Sequence, residues 1–396
     1  MLNSKLERNI ILYYLFQTIK EPLFWGPILI SYIMAISSMS LSEVFFMESV
    51  CLWILIILEI PSGALADLIG RQKTIFIGTI IAVGDVVLFS LADSPLDIWL
   101  ANSCWAVGFS LISGADSSLL YDSLKCLGRE NEFGKIQSRS IAYRFFIIAF
   151  CSIFVGYLAE INLRLPMFCS LVFMIANCLV TYLFVEPPVS ERSKYNMRQH
   201  INLMRISVLF VANHKKIKWI VGFMVLISGI SKVWFFTYNP YFELVELPIV
   251  YFGWIFFFLN LVSFASSYFY STFFKKLGTY GSIILLVSII TTSVSLMGLW
   301  VSPIACLFIL VQNIARGYLT PFIDQFLHDY LDSENRATVI SIKSAVSGFS
   351  QFIFLTLFGV LLGIYSLPTC LLLMGSIMAV GGLYFIITYK KIFGNN

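Results

Sequence analysis

Residues 51–92 read CLWILIILEIPSGALADLIGRQKTIFIGTIIAVGDVVLFSLA, two long apolar runs joined by a short charged turn. Each run is close to the roughly 20 apolar residues that a helix needs to cross a hydrocarbon core about 30 Å thick. A helix satisfies its own backbone hydrogen bonds, which lipid cannot do, so such a run is expected to be helical. The stretch therefore predicts two membrane-spanning helices with a tight turn between them.

The same pattern continues through the whole chain of 396 residues, of which 59% are hydrophobic and 12% charged. An ordinary soluble domain is about a quarter charged. Apolar windows and turn signals predict twelve spans. They cover residues 8–36, 41–67, 72–92, 96–124, 134–160 and 165–185 in the first half, and 217–244, 248–274, 279–300, 303–328, 335–363 and 366–389 in the second. The predicted fold is an all-α membrane protein of twelve transmembrane helices.

The positive charges indicate the orientation of the spans. Most of the 26 Lys and Arg residues fall in segments on one side of the membrane if the N-terminus is inside. Such a bias sets topology, so both termini are predicted to be cytoplasmic, in a multi-pass protein of the inner or plasma membrane. The lipid bilayer is thus one partner of the chain.

The segment 187–216 is the longest connection between the predicted spans. It separates an N-terminal bundle, 1–186, from a C-terminal bundle, 217–396, with six predicted helices each. From about residue 195 to 211 basic and apolar residues alternate at helical spacing, which predicts an amphipathic helix along the anionic membrane surface. A regulatory docking site is the alternative.

Composition argues against several other classes of protein. The eight cysteines lie singly, without a CxxC pair or metal-like spacing, and the three histidines lie in predicted cytoplasmic segments. Acid, histidine and nucleophile residues form no recognisable catalytic constellation. The net charge of +4 belongs to loops on one side of the membrane and does not indicate nucleic acid binding. We therefore expect no enzyme activity, no metal and no cofactor.

The two halves contain an internal repeat. The segment SGADSSLLYDSLKCLGRENEF, which closes span four, aligns with RGYLTPFIDQFLHDYLDSENRA, which closes span ten, so that Gly114 matches Gly317. Gly70 in the loop after span two matches Gly278 after span eight in the same way. Repeated six-helix halves enclose a cavity and rock about it, which predicts alternating access.

The run GALADLIGRQK, residues 63–73, resembles the loop signature of the major facilitator superfamily, between spans two and three as in that family. Together with the spans and the repeat it makes the chain similar to a bacterial, drug-efflux-like branch. The resemblance implies a gate in which Asp67 faces the start of span eleven and Arg71 reaches Asp122, locking the outward-open state. The implied gating residues are Gly63, Asp67, Gly70, Arg71, Lys73 and Asp122. The alternative is that the basic loop only fixes topology.

One element of the facilitator drug exporters is largely absent. They carry a Gly-Pro-Gly-rich stretch in span five, whereas the nearest segment here, FCSIFVGYLAE, has Gly156 and no proline. This departure weakens the case for antiport without excluding it.

Ionisable residues inside spans are costly and are therefore functional candidates. For proton coupling these are Glu21, Glu59, Asp116 and Arg144. A rise of about 1.5 Å per residue puts Asp116 and Arg144 at similar depth, which predicts that they pair. Glu21 is the first choice for the proton carrier, because a carboxylate in a low-dielectric cavity can take up a proton near neutral pH. A structural ion pair is the alternative.

The second half carries Lys232, Arg316 and Lys343 inside its predicted spans, and residues 232–242, KVWFFTYNPYF, surround Lys232 with aromatic rings. Aromatic walls with a few cations suit an organic ligand that carries an anionic group. The residues predicted to line the substrate cavity are Lys20, Trp25, Lys232, Trp234, Tyr238, Asn260, Arg316 and Lys343.

The sequence thus predicts a secondary active transporter of a small organic molecule, working by proton-coupled efflux. The first alternative is proton-coupled or facilitated uptake of an anionic or zwitterionic metabolite. A transporter-like receptor that binds without translocating is a lesser alternative. The expected partners are the substrate and protons, and a monomer is expected because one chain supplies both halves.

Overall fold

The computed structural model describes residues 2–188, 213–328 and 336–394, without the side chains of Leu2, Ile60, Leu327, His328 and residues 336–345. Most of the predicted linker, residues 189–212, lies outside this range. The described α-helices are α1 (Leu2–Thr18), α2 (Leu29–Ser37), α3 (Leu41–Ile69), α4 (Arg71–Leu91), α5 (Pro95–Ile112), α6 (Ala115–Cys126), α7 (Phe133–Ile161), α8 (Leu165–Tyr182), α9 (Lys215–Leu244), α10 (Val250–Tyr268), α11 (Tyr270–Leu299), α12 (Cys306–His328), α13 (Arg336–Leu362) and α14 (Leu367–Phe393).

The predicted all-α membrane fold is confirmed. Ten helices of the described chain are long and apolar enough to cross a membrane, and residues 346–362 form a shorter apolar helix. Helices α1 and α2 are shorter, and two 3₁₀ turns, at Glu130–Glu132 and Pro303–Ala305, lie at the starts of the spans that contain α7 and α12. The chain is therefore a multi-pass membrane protein.

The first predicted span, residues 8–36, is not one continuous helix. Helix α1 ends at Thr18 and α2 begins at Leu29. Pro22 and Pro27 lie in this break, and a proline removes a backbone donor and clashes with the preceding turn of a helix. Non-helical backbone at membrane depth is tolerated where protein or a cavity surrounds it. Lys20 and Glu21 therefore project from an irregular segment rather than from a helix face.

Glycines interrupt the helices at three further places. Gly114, with φ 79°, separates α5 from α6, so the predicted span 96–124 is also broken. Gly70 has φ 101° between α3 and α4, and Gly278 has φ 62° within α11. Residues that have a side chain rarely adopt a positive φ, so glycine is the residue that permits these turns. The two matched glycines, Gly70 and Gly278, thus serve the same purpose in the two halves of the repeat.

The chain divides into two compact units. The first comprises Met1–Met39, Val50–Met197 and Pro248–Phe257, and the second Ser40–Ser49, Arg198–Leu247 and Phe258–Asn396, in so far as these residues are described. In the first unit α4 packs tightly on α5, since a Cβ on Gly78 would lie 2.8 Å from the carbonyl oxygen of Gly108. In the second, a Cβ on Gly298 of α11 would lie 2.7 Å from the carbonyl oxygen of Pro368. The predicted bundle boundaries at 186 and 217 stay a prediction.

Candidate functional site

The first unit holds a buried ion pair between the broken span and α6. Lys20 Nζ donates to Asp116 Oδ2 at 2.6 Å, and each side chain is 8% exposed. Gln17 Nε2 donates to the same oxygen at 2.8 Å. The other carboxylate oxygen accepts from the backbone N–H of Ser117 at 2.7 Å, in the first turn of α6, where the helix dipole favours a negative charge. Asp116 is therefore held as a charged acceptor with three donors.

A second ion pair lies one residue further along the break. Arg144 Nη1 donates to Glu21 Oε1 at 2.9 Å, with exposures of 16% and 40% for the two side chains. The predicted pairing of Asp116 with Arg144 is therefore wrong. It assumed that both residues could be placed by depth along regular helices, whereas the break between α1 and α2 brings Lys20 and Glu21 to them instead. Two cations and two carboxylates together give this cluster no net charge.

The loop between α3 and α4 contains the gating residues that the resemblance implies. Arg71 Nη1 forms an ion pair with Asp122 of α6 and donates to the carbonyl oxygen of Ser118 at 2.8 Å. Asp67 is half-buried, while Gly63 and Lys73 are exposed. The implied contact of Arg71 with Asp122 is present. The gating role of these residues, and the contact of Asp67 with the start of span eleven, stay predictions.

Glu186 is a further residue at this loop, and the sequence analysis missed it. It lies shortly after α8, which ends at Tyr182, and its carboxylate accepts from the backbone N–H groups of Arg71 at 3.0 Å and Gln72 at 2.7 Å. These are among the orphan donors at the start of α4. The start of α4 after the turn at Gly70 needs a hydrogen-bond acceptor. The signal available in the sequence was the acidic residue directly before Pro187.

The second unit contains a cavity of about 380 Å³ between α9, α12 and α13. Its lining includes two cations and several polar groups that are able to form hydrogen bonds, at Ser228, Ser231, Lys232, Trp234, Arg316 and Gln351. None of the described residues that line it is Asp or Glu. This is a pocket of the size in which proteins hold small organic molecules.

Aromatic rings and an amide position the two cations. Lys232 Nζ lies 4.7 Å from the centroid of the Phe236 ring, and the Arg316 guanidinium lies 5.0 Å from that of Phe235. Asn313 Oδ1 is 3.5 Å from Arg316 Nη1, and Asn313 Nδ2 donates to the buried Tyr238 hydroxyl at 3.1 Å. Tyr238 thus contacts Arg316 of the cavity indirectly, through Asn313.

The structure brings three of the predicted cavity residues together: Lys232, Trp234 and Arg316. Lys20 is instead paired with Asp116, and Trp25 packs against Phe89 in the first unit, 4.9 Å between ring centroids. Asn260 lies on α10 and is not among the described lining residues, and the Lys343 side chain lies outside the described residues. Among the proton candidates, Glu59 is exposed on α3. Ser228 is a lining residue that the sequence analysis missed.

No family model matches the chain. The uncharacterized MFS-type transporter YxaM of Bacillus subtilis (strain 168) is 28% identical over 191 residues, which cover 47% of this chain and 44% of that protein. The match therefore spans less than half the length of the relative.

Solved structures are similar over nearly the whole chain. A mutant form of the nucleoside transporter NupG has a TM-score of 0.82 at 13% identity, covering 97% of this chain and 100% of that one. A POT family transporter in complex with 5-aminolevulinic acid has a TM-score of 0.74 at 13% identity, covering 97% and 96%. A D-xylose-proton symporter has a TM-score of 0.71 at 13% identity, covering 95% of each chain.

The fold is thus the one that these solved transporters share, and the chain resembles an MFS-type transporter, as the loop motif indicated. These relatives are transporters by name, which agrees with the prediction that the chain is not an enzyme. The bacterial, drug-efflux-like branch stays a prediction.

Proposed function

We propose that the chain is a secondary transporter that moves a small organic solute across the membrane by alternating access. The observation that carries the proposal is the cavity of about 380 Å³ in the second unit, which has Lys232 and Arg316 on its lining. Both residues belong to membrane-spanning helices, where a charge is expensive and is retained for a function. The fold, shared with a nucleoside transporter and a D-xylose-proton symporter, supports the same conclusion.

We propose further that transport is coupled to protons through Glu21. Its side chain is 40% exposed and that of its partner Arg144 16%, so Glu21 is the more accessible member of the pair. Protonation of Glu21 would leave the charge of Arg144 without its balance in a low-dielectric surrounding, which favours a rearrangement. Asp116 is the second candidate, and its carboxylate accepts hydrogen bonds from Gln17, Lys20 and the backbone N–H of Ser117.

Efflux is the direction that the sequence favours, and uptake is the second candidate. In proton antiport the solute and the protons cross the membrane in opposite directions, and in symport they cross in the same direction. The named D-xylose-proton symporter among the structural neighbours supports the second candidate.

The test is solute flux in proteoliposomes after a pH jump, with labelled organic anions, sugars, nucleosides and amphipathic amines. We expect at least one solute to accumulate with the proton gradient, and the sign of the gradient that drives it gives the direction. Glu21→Gln should lose gradient-driven accumulation and keep exchange without a gradient, because it removes the protonatable group and spares the cavity. The exposed Glu160, on the same helix as Arg144, gives the matched control Glu160→Gln, which should behave as wild type.

Gradient-driven accumulation in Glu21→Gln at the wild-type level would refute the role of Glu21. Binding of solutes with no flux under any gradient would refute transport and favour a receptor.

A further inference from the structure

The cavity of the second unit combines its two cations with buried donors. Trp234 is 2% exposed, and its Nε1–H has no hydrogen-bond acceptor among the described residues. The Ser228 hydroxyl is buried as well and has no hydrogen-bond partner in the described part of the chain. Both residues line the cavity beside Lys232 and Arg316. Ser231 differs, because its hydroxyl donates to the carbonyl oxygen of Ile227 at 2.6 Å.

Buried polar groups without partners are rare in proteins and cost free energy. An indole N–H can only donate, and so can the ammonium and guanidinium groups. A ligand that satisfies the Trp234 N–H and the Ser228 hydroxyl must therefore supply acceptor oxygens, and the two neighbouring cations favour a negative charge on it. An oxyanion meets both requirements, and an arginine guanidinium binds its two oxygens in a bidentate manner.

We infer that the cavity binds the oxyanion head, a carboxylate or phosphate, of a small organic anion. In this arrangement Arg316 and Lys232 hold the charge, and the Trp234 indole and the Ser228 hydroxyl donate to the remaining lone pairs. The body of the ligand packs on Trp234 and Phe235, the aromatic part of the lining. The inference names the solute class of the proposed transporter and rests on that proposal for its physiological meaning, while binding itself does not depend on flux.

The size of the cavity limits the ligand. A volume of about 380 Å³ lies at the lower end of the range of about 300–1,000 Å³ for small-molecule sites. A single aromatic or heterocyclic ring with one anionic group fits this limit, whereas a large amphipathic drug does not.

The test is equilibrium binding to the full chain in detergent, measured by isothermal titration and by ligand-induced change in melting temperature. The probes are benzoate, indole-3-acetate and phenyl phosphate, with benzamide as the neutral counterpart of benzoate. We expect at least one oxyanion to bind and benzamide not to. Carboxylates and phosphates are compared in separate titrations, which identifies the preferred head group.

Arg316→Gln and Lys232→Gln should each weaken oxyanion binding about tenfold to a hundredfold, the usual value of a hydrogen bond to a charged group. Trp234→Phe keeps the ring and removes the donor, and it should weaken binding by several-fold. The exposed Lys218 lies on the same helix, so Lys218→Gln is the matched control and should bind as wild type.

Equal binding of benzoate and benzamide, or no oxyanion binding at all, would overturn the inference. So would a Trp234→Phe variant that melts higher but binds as tightly as wild type, because the indole N–H would then be a purely structural defect. These outcomes leave the proposed transport intact if a neutral solute is still carried. Oxyanion binding without flux would instead refute transport and leave the inference standing.

Discussion

The charged residues of the two units are organised in opposite ways. In the first unit Lys20, Asp116, Glu21 and Arg144 form two ion pairs that cancel each other's charge. In the second unit the cavity has two cations and no carboxylate among its described lining residues. In the first arrangement each charge has a partner of opposite sign within the protein, while the second, with the Trp234 N–H and the Ser228 hydroxyl, has donors that a ligand can satisfy.

This difference separates two tasks that charges inside a membrane can perform. A balanced pair stabilises the local arrangement of the broken first span against α6 and α7. Two cations beside buried donors that have no acceptor among the described residues, the Trp234 N–H and the Ser228 hydroxyl, favour a negatively charged ligand. The sharpest tests of the comparison are therefore substitutions that disturb the balance in the first unit and measure stability.

The largest expected effect comes from Lys20→Met. It removes one member of a buried pair and leaves the Asp116 carboxylate without its cation, at a cost of roughly 3–5 kcal/mol in stability. The double variant Lys20→Met with Asp116→Asn removes both charges and should recover most of this loss. The measurement is the melting temperature of the purified protein in detergent, followed by tryptophan fluorescence.

The control for this experiment is Lys73→Met, because Lys73 is exposed and should tolerate the same change. If Lys20→Met melts at the wild-type temperature, Asp116 does not depend on Lys20 for its charge. The first unit would then not be stabilised by balanced charges, and the comparison with the cationic cavity of the second unit would be wrong.

Arg71→Gln should lower stability less than Lys20→Met does, but it should have a large effect on solute flux. This change breaks the ion pair with Asp122 and the hydrogen bond to the Ser118 carbonyl, both partly buried. We expect a loss of about 1–3 kcal/mol, the cost of leaving a charged group without its partner. If the pair is part of the gate, the rate of solute exchange in proteoliposomes should fall far more than the loss of stability explains.

The charge-exchanged variant Arg71→Asp with Asp122→Arg tests whether the pair itself is responsible. Partial recovery of exchange would support a gate, and Lys125→Gln, at an exposed lysine of α6 outside the loop motif, should leave the rate near the wild-type value. Exchange at the wild-type rate in Arg71→Gln would favour the alternative that the basic loop only sets topology.

Much of the fold could be predicted because it depends on local sequence. Runs of about 20 apolar residues have to be helical in lipid, and Gly70 and Gly278 both occupy the positive-φ turns that their matched positions suggest. The ion pair of Arg71 with Asp122 followed from the loop motif and its position. The surroundings of Lys232 could be predicted because one cation and several aromatic residues lie close together in sequence.

The ion pairs of the first unit could not be assigned in this way. Depth along ideal helices put Asp116 next to Arg144. The chain around Pro22 and Pro27 is not helical, however, and Lys20 and Glu21 lie in this irregular segment. Which carboxylate each cation contacts then depends on how the irregular segment packs, and no periodic pattern encodes that. The Trp234 and Ser228 donors posed the same problem, because only the packed structure shows whether a buried donor has an acceptor.

The smallest expected effect concerns Glu186, the acceptor at the start of α4. Glu186→Gln keeps one oxygen acceptor but removes the negative charge beside two backbone N–H groups, a change of about 1 kcal/mol at a helix N-terminus. Because Gly70 and Arg71 lie at this contact, the variant should loosen the loop and reduce solute exchange less than Arg71→Gln does. Hydrogen exchange of the amides of Arg71 and Gln72, measured by mass spectrometry, should rise in the variant and not in Glu160→Gln. Unchanged protection would mean that the charge of Glu186 does not hold the loop, and the balanced charges of the first unit would then be confined to its two ion pairs and the Arg71 contact.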